Sequence, residues 1–309
     1  MSGLRGAAVV IGAHGFLGRH VAAALCAAGA PVIAVGRSDS GHLGAALRRA
    51  AVIFYLAGTV TPQTAESAPD LVRADHLAFT GLLASCGRLG TLPVLVLASS
   101  GGTVYDSAVP APYAETAPTR PTTAYGCAKF ALEQEALAAN GVIRPLVVRL
   151  SNVYGPGQRA RDGLGVIAHW LDAARSGSQP VLYGDPDVAR DYVFVGDVAS
   201  ALAGVWIRRE ELADSCPVIL NVGSGRPASL SRVFRVVCAA VGRDLSLAAV
   251  PARGFDRQDV WLEIAKASDK LGWRPEVSLE EGVMRTWREL SAAGSALSDS
   301  HLPVPDGRD

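Results

Sequence analysis

The chain has 309 residues, 49% hydrophobic and 19% charged, and its 29 basic and 29 acidic side chains cancel. This length suits one large α/β domain or two tightly joined ones, at about 100–200 residues per domain, and the composition excludes a disordered chain, a collagen and a small disulfide scaffold. The charge balance excludes an electrostatic footprint for nucleic acid or an acidic membrane face, so a ligand must be recognised by local pockets.

Residues 7–12, AAVVIG, form an apolar run fit for a buried parallel strand. A glycine turn follows, then HVAAALCAAGA as a helix ending at Gly29. PVIAVGR is a second strand, 43–50 a brief helix and 51–57, AVIFYLA, a third strand. Residues 69–89 read as a long helix, VLVLASS at 94–100 as a strand, 123–139 as a helix and RPLVVRLS at 144–151 as a strand. Alternating strands and helices predict a parallel sheet with right-handed crossovers. Past residue 151 the pattern loosens into short helices, Pro/Gly turns and isolated strands such as VLY at 181–183 and VILNVG at 218–223. A smaller second lobe interleaved with the end of the sheet is expected. Residues 292–309 are polar and carry Pro and Gly, which predicts a mobile tail.

Five cysteines, Cys26, Cys86, Cys127, Cys216 and Cys238, are scattered with no metal-ligand spacing, so reduced thiols in a cytoplasmic protein and no metal are expected. The N-terminus runs directly into a strand, which predicts no signal peptide. Apolar stretches fall short of the roughly 20 residues of a membrane helix. Only three basic residues are lysines, Lys129, Lys266 and Lys270. Any one lysine is therefore more informative than usual.

Gly12, Gly15 and Gly18 form G-x-x-G-x-x-G between the first strand and a helix, with Phe16 and Leu17 inside the motif. The first glycine suits a tight turn, and the second lets the backbone approach a pyrophosphate at the helix N-terminus. His14 falls between the glycines and reads as a loop residue beside the phosphates. The second strand ends at Gly36-Arg37-Ser38. A free ribose 2′-hydroxyl usually meets an acidic residue there. Arg37 can instead pair with a 2′-phosphate and stack on adenine, so NADP(H) is favoured and NAD(H) remains possible.

Tyr125 and Lys129 lie four apart at the start of a helix, which puts both on one face. An ammonium beside a phenol favours the phenolate and so equips it for proton exchange. A lysine so placed can also hold the nicotinamide ribose. Ser99-Ser100-Gly-Gly-Thr103-Val-Tyr105 closes the preceding strand, where open parallel sheets carry their active groups.

With these residues the sequence resembles the extended short-chain dehydrogenase/reductase family, of the NAD-dependent epimerase/dehydratase type and its nucleotide-sugar-modifying branch, from residue 7 to about 290. Further matching segments are Leu56-Ala57-Gly58, RLSNVYGPGQ at 149–158, RDYVFVGDVA at 190–199 and LGWRPEVSLEEG at 271–282. The resemblance implies a Rossmann-like doubly wound parallel sheet with a smaller C-terminal substrate-binding lobe. Residues 1–150 would form the dinucleotide-binding part, rejoined by 190–224, with 151–189 and 225–291 forming the lobe and 292–309 the tail. It further implies that Gly12, Gly15, Phe16, Leu17, Gly18, Arg37, Ser38, Leu56, Ala57 and Gly58 hold the cofactor together with Tyr125 and Lys129. Asn152, Arg190 and Arg253 would hold the diphosphate of a nucleotide-linked sugar, Asp256 a hydroxyl and Tyr183 the base. An arginine pair suits a diphosphate through charge-assisted bonds. The helices at 69–89 and 123–139 resemble the pair that builds a four-helix interface in the family, which implies a homodimer.

Two departures from the family pattern stand out. Epimerases of the family usually carry Ser or Thr two residues before Thr103, and here that place is Gly101. Thr103, or alternatively Ser100, must then bond the sugar oxygen. Only residues 39–50 separate the second and third strands, so the sheet edge is expected to stop one strand short. The expected activity is an NADPH-dependent 4-ketoreductase of a nucleotide-linked 4-keto-6-deoxyhexose, with Tyr125 as proton donor, Lys129 as its partner and Thr103 as second hydrogen-bond donor. The alternative is an NAD-dependent nucleotide-sugar 4-epimerase.

Overall fold

A computed structural model of the chain describes residues 6–36, 41–90, 92–160, 164–253 and 259–298. The first half runs β1 (Ala7–Ile11), α1 (Phe16–Ala27), β2 (Val32–Val35), α2 (Leu43–Arg48), β3 (Ala50–Tyr55), α3 (Pro62–Ser67), α4 (Pro69–Leu89), β4 (Val94–Ser100), α5 (Ala124–Ala138) and β5 (Arg144–Leu150). There follow β6 (Asn152–Tyr154), α6 (Val166–Ser176), β7 (Val181–Tyr183), β8 (Ala189–Phe194), α7 (Val195–Ile207), α8 (Arg209–Ser215) and β9 (Val218–Val222). The chain continues through β10 (Pro227–Ser229), α9 (Leu230–Val241), β11 (Ala248–Val250), α10 (Ala265–Leu271) and α11 (Leu279–Ser298).

Six strands pair in the order β2-β1-β3-β4-β5-β9, every neighbour parallel. This is the expected Rossmann-like sheet. Among the described residues β2 is its edge, as the short segment before β3 predicts. The side-chain period of two divides the sheet residues between two cores. Val9, Ile53, Leu95, Leu97 and Val147 pack with Leu47 of α2, Phe79 and Leu82 of α4 and Leu132 of α5. Val10, Phe54, Val96 and Val148 pack on the other face with Val21 and Leu25 of α1 and Val198, Leu202 and Val205 of α7. Burial on both faces is why these strands read as unbroken apolar runs rather than alternating ones.

A third core joins Tyr154, Trp170, Leu171, Tyr192, Phe194, Val233 and Val237 to Val283 of α11. It is flanked by two small sheets, β10-β8-β6 and the parallel pair β11-β7. These pieces were legible only as a loosened pattern, because strands of three residues such as β6 and β7 carry too few positions to show a period. Two boundaries differ from expectation. α1 begins at Phe16, directly after its N-cap Gly15, rather than at the alanine-rich segment. α11 continues to Ser298, beyond the boundary expected at 291, as Ala and Leu in SAAGSALS are good helix formers. Residues 299–309 lie outside the described residues.

Candidate active site

The C-terminal ends of β1, β3 and β4 bring the predicted segments together. Gly12 has φ +89°, and a side chain there would press on Leu56 and the Ala57 backbone. A methyl group on Gly18 would collide with the Gly12 carbonyl, so this glycine lets α1 pack directly on the turn. Gly15 caps α1 without a side-chain bond, and the first turn carries no acidic residue. The first backbone N–H groups of α1, which helix geometry leaves without a partner inside the helix, and the positive end of the helix dipole thus face the turn, which suits an anionic group such as a pyrophosphate. Phe16 packs edge-on against His20, with ring centroids 5.9 Å apart. Phe16 and Leu17 are half-buried in the first turn of α1. Arg37 and Ser38 lie outside the described residues.

Gly58 reaches toward the second group: a Cβ there would lie 3.9 Å from Lys129 Nζ. Lys129 Nζ donates to the Ala98 carbonyl at 3.3 Å and lies 5.7 Å from the centroid of the Tyr125 ring. The first turn of α5 is held from two sides. The Thr123 hydroxyl accepts from the Gly126 N–H at 3.1 Å, and Glu66 accepts from the Ala124 N–H at 2.9 Å. Thr103 sits in the turn after β4, its N–H bonded to the Ser100 carbonyl at 3.2 Å. Its hydroxyl is buried and has no hydrogen-bond partner among the described residues. A buried hydroxyl left unsatisfied is unusual and suits a ligand oxygen. At Gly101, a Cβ would lie 2.7 and 2.8 Å from the two methyl carbons of Leu262, so a leucine occupies the space where a side chain at 101 would go.

Of the residues expected at the nucleotide end, Asn152, Tyr183 and Arg190 fall on strands of the small sheets, and Arg253 follows β11. Tyr183 is 44% exposed, and the Arg253 guanidinium lies 4.5 Å from its ring centroid, so these two come together. Arg190 stands on β8 and donates to the Ala189 carbonyl at 3.1 Å. Asn152 on β6 donates its side-chain amide to the Asp191 carbonyl at 3.0 Å. Asp256 lies outside the described residues.

Several residues that shape the site carry no local sequence signal. Asp75, in the middle of α4, accepts from the Thr59 N–H at 2.8 Å and the Thr59 hydroxyl at 2.9 Å, fixing the loop after Gly58. Burial, reinforced by the Asp75 carboxylate, pushes the nearby Tyr55 phenol up to about 12. Asp191 accepts from the Ser224 N–H and hydroxyl, both at 2.7 Å, and from the N–H groups of Gly225 and Leu262. Burial raises its carboxyl pKa while these bonds oppose the rise. Arg149 and Glu133 form a buried ion pair at 2.7 Å. A charged residue inside the apolar strand RPLVVRLS was the one sequence sign of it. Among the described residues no His/Cys/Asp/Glu group could hold a metal.

Residues 8–223 match the model of the NAD dependent epimerase/dehydratase family. A Methanocaldococcus jannaschii protein is 34% identical over 62% of this chain, and the match spans 61% of that protein's own length. The dTDP-6-deoxy-L-talose 4-dehydrogenase (NAD(P)(+)) of Kitasatospora kifunensis is 29% identical over 92% of this chain and 95% of its own. The Thermus thermophilus UDP-glucose 4-epimerase, solved in complex with NAD, superposes with a TM-score of 0.82 at 28% identity, covering 93% of this chain and 99% of that one. The chain belongs to the NAD-dependent epimerase/dehydratase family and is an NAD(P)-dependent enzyme of that family.

Proposed function

We propose that the chain is an NADPH-dependent 4-ketoreductase of nucleotide-linked 4-keto-6-deoxyhexoses. The observation that carries the reading is the buried, unpartnered Thr103 hydroxyl in the turn against which α5 presents Tyr125 and Lys129. The glycine turn at Gly12, Gly15 and Gly18 would hold the pyrophosphate, the Leu56-Ala57-Gly58 turn the adenosine side and Lys129 the nicotinamide ribose. Bound there, the nicotinamide would supply the hydride to the carbonyl carbon. Tyr125 gives its proton to the carbonyl oxygen as that oxygen becomes a hydroxyl, so hydride and proton together convert the ketone to a carbinol. Thr103 donates a second hydrogen bond to the same oxygen and polarises it. The Lys129 ammonium stabilises the phenolate that Tyr125 leaves behind.

At the other end Asn152, Arg190 and Arg253 would clamp the diphosphate, Tyr183 would pack the base and Asp256 would take a hydroxyl. Two features favour reduction over epimerisation. No carboxylate stands at 36–38 to bind a free ribose 2′-hydroxyl, and Leu262 fills the place beside Gly101 where epimerases of the family offer a hydroxyl. The Kitasatospora relative, a deoxysugar 4-dehydrogenase, supports the same class of reaction. Similarity to the Thermus UDP-glucose 4-epimerase favours the second reading, an NAD-dependent 4-epimerase using the same three residues.

The deciding experiment follows NADPH oxidation with dTDP-4-keto-6-deoxyglucose and, in parallel, epimer formation from UDP-glucose with NAD. Stoichiometric NADPH consumption supports the ketoreductase. Epimer formation with no net cofactor change overturns it in favour of the epimerase. The protein is further proposed to pair as a homodimer through α4 and α5, which His76 and Glu135 link at 2.7 Å and where Leu77 is 60% exposed.

A further inference from the structure

Ser99, Arg149 and Asn221 stand in one row across β4, β5 and β9, paired in register at the C-terminal ends of the strands. All three are buried, and Ser99 is followed by Ser100, whose carbonyl accepts from the Thr103 N–H in the turn. Arg149 is 3% exposed and its partner Glu133 fully buried. Arg149 Nε reaches both Glu133 oxygens, at 3.1 and 3.2 Å, and Nη2 donates to Oε2 at 2.7 Å. Ser99 Oγ donates to Glu133 Oε1 at 2.5 Å. Glu133 lies on α5, one turn beyond Lys129 and two beyond Tyr125, on the same face. On its other side the Arg149 guanidinium carbon sits 4.8 Å from the centroid of the Tyr105 ring. The Tyr105 hydroxyl donates to Asn221 Oδ1 at 2.6 Å, and Tyr105 is two residues past Thr103.

We propose that Arg149 is a positioning residue that fixes Thr103 relative to Tyr125 and Lys129, holding the helix through Glu133 and the turn through Tyr105. This rests on the reading that those three residues carry the chemistry. A buried ion pair alone is weak evidence of a stabilising role, since apolar residues of similar volume often replace it without loss. Leu132 and Ala136 already pack α5 on the sheet. What apolar packing lacks is direction. A planar guanidinium bonded along its edge to a carboxylate and stacked by its face on a ring fixes both neighbours in distance and angle. The two arms of Arg149 end on the two elements whose relative placement sets the geometry at the reacting oxygen.

The test is Arg149→Lys, which keeps the charge and loses the planar fork. With NADPH and the 4-keto sugar nucleotide, kcat is expected to fall by roughly 10- to 100-fold, the scale of an ångström misplacement, while KM and the NADPH dissociation constant stay within about twofold. In a Thr103→Val background the same substitution is expected to cost much less, because the group being positioned is gone. Backbone hydrogen exchange, which needs no turnover, is expected to quicken at 101–105 and 124–129 and to stay unchanged in β1. Glu133→Met/Arg149→Met, which removes both charges together, is expected to fold and melt near wild type yet lose kcat to the same degree. Unchanged kcat in either folded variant, equal losses in both Thr103 backgrounds, or unchanged exchange would overturn the proposal. A wild-type protein that transfers no hydride with either sugar nucleotide would instead overturn the functional reading, and the exchange result would still decide the placement.

Discussion

Gly126 abuts Thr103: a Cβ on Gly126 would lie 2.7 Å from the Thr103 carbonyl oxygen, closer than real Cβ contacts come. The glycine between Tyr125 and Lys129 thus sets how near the helix can approach the turn. Gly126→Ala is expected to push α5 away from Thr103, cost about 1–3 kcal/mol of stability by overpacking and lower turnover by up to about 100-fold. Gly44→Ala in α2 is the control. Among the described residues its Cβ would meet only the end of Arg48, at 3.9 Å, and the added helix propensity should stabilise by up to about 1 kcal/mol. Thermal melts and steady-state rates of the two variants check both statements.

Tyr125→Phe removes only the phenolic hydroxyl. Turnover should fall by about 10²–10⁴-fold, as for loss of a general acid, with NADPH affinity retained. Lys129→Met should lower both turnover and cofactor affinity, since the proposed function gives the lysine a part in both. Near wild-type turnover for Tyr125→Phe would reject the assigned proton donor.

The proposed preference for NADPH rests on Arg37. A 2′-phosphate needs a positive partner, and a charge-assisted hydrogen bond contributes about 1.5–3 kcal/mol, roughly one to two decades in affinity. Arg37→Ala should weaken NADPH by that factor and leave NADH nearly unchanged. Fluorescence titration of both cofactors with both proteins gives the answer. Equal losses would make Arg37 a surface arginine and move the epimerase ahead.

Among the described residues, the Asp191 carboxylate accepts from the N–H groups of Ser224, Gly225 and Leu262 and from the Ser224 hydroxyl. Asp191→Asn replaces one acceptor by an amide donor that meets the backbone N–H groups head-on. A loss of about 1–3 kcal/mol in denaturant titrations is expected, the scale of an unsatisfied buried polar group. No measurable loss would show that the loop at 224–225 is held by other contacts.

Assembly is read by light scattering at micromolar concentration. A homodimer is expected, and Leu77→Arg should shift it toward monomer by placing a charge on the exposed apolar face of α4. A monomeric wild type would remove the α4–α5 pairing from the account.

β4 and α4 fall where the sequence alone places them, at 94–100 and 69–89, because long apolar runs and long amphipathic helices are recorded locally. The glycine turn after β1 and the Tyr125–Lys129 spacing were legible for the same reason: a turn or one helical face involves residues near in sequence. β6 and β8 were not, since Asn152 finds its partner Tyr192 only when the chain returns. The contact of Gly126 with the Thr103 carbonyl, the leucine at 262 filling the space at Gly101, and the grip of Arg149 on Glu133 and Tyr105 belong to the tertiary structure alone. Each joins segments distant in the chain. A buried ion pair or a steric contact has no period and no local composition, and only packing decides which side chains share a space.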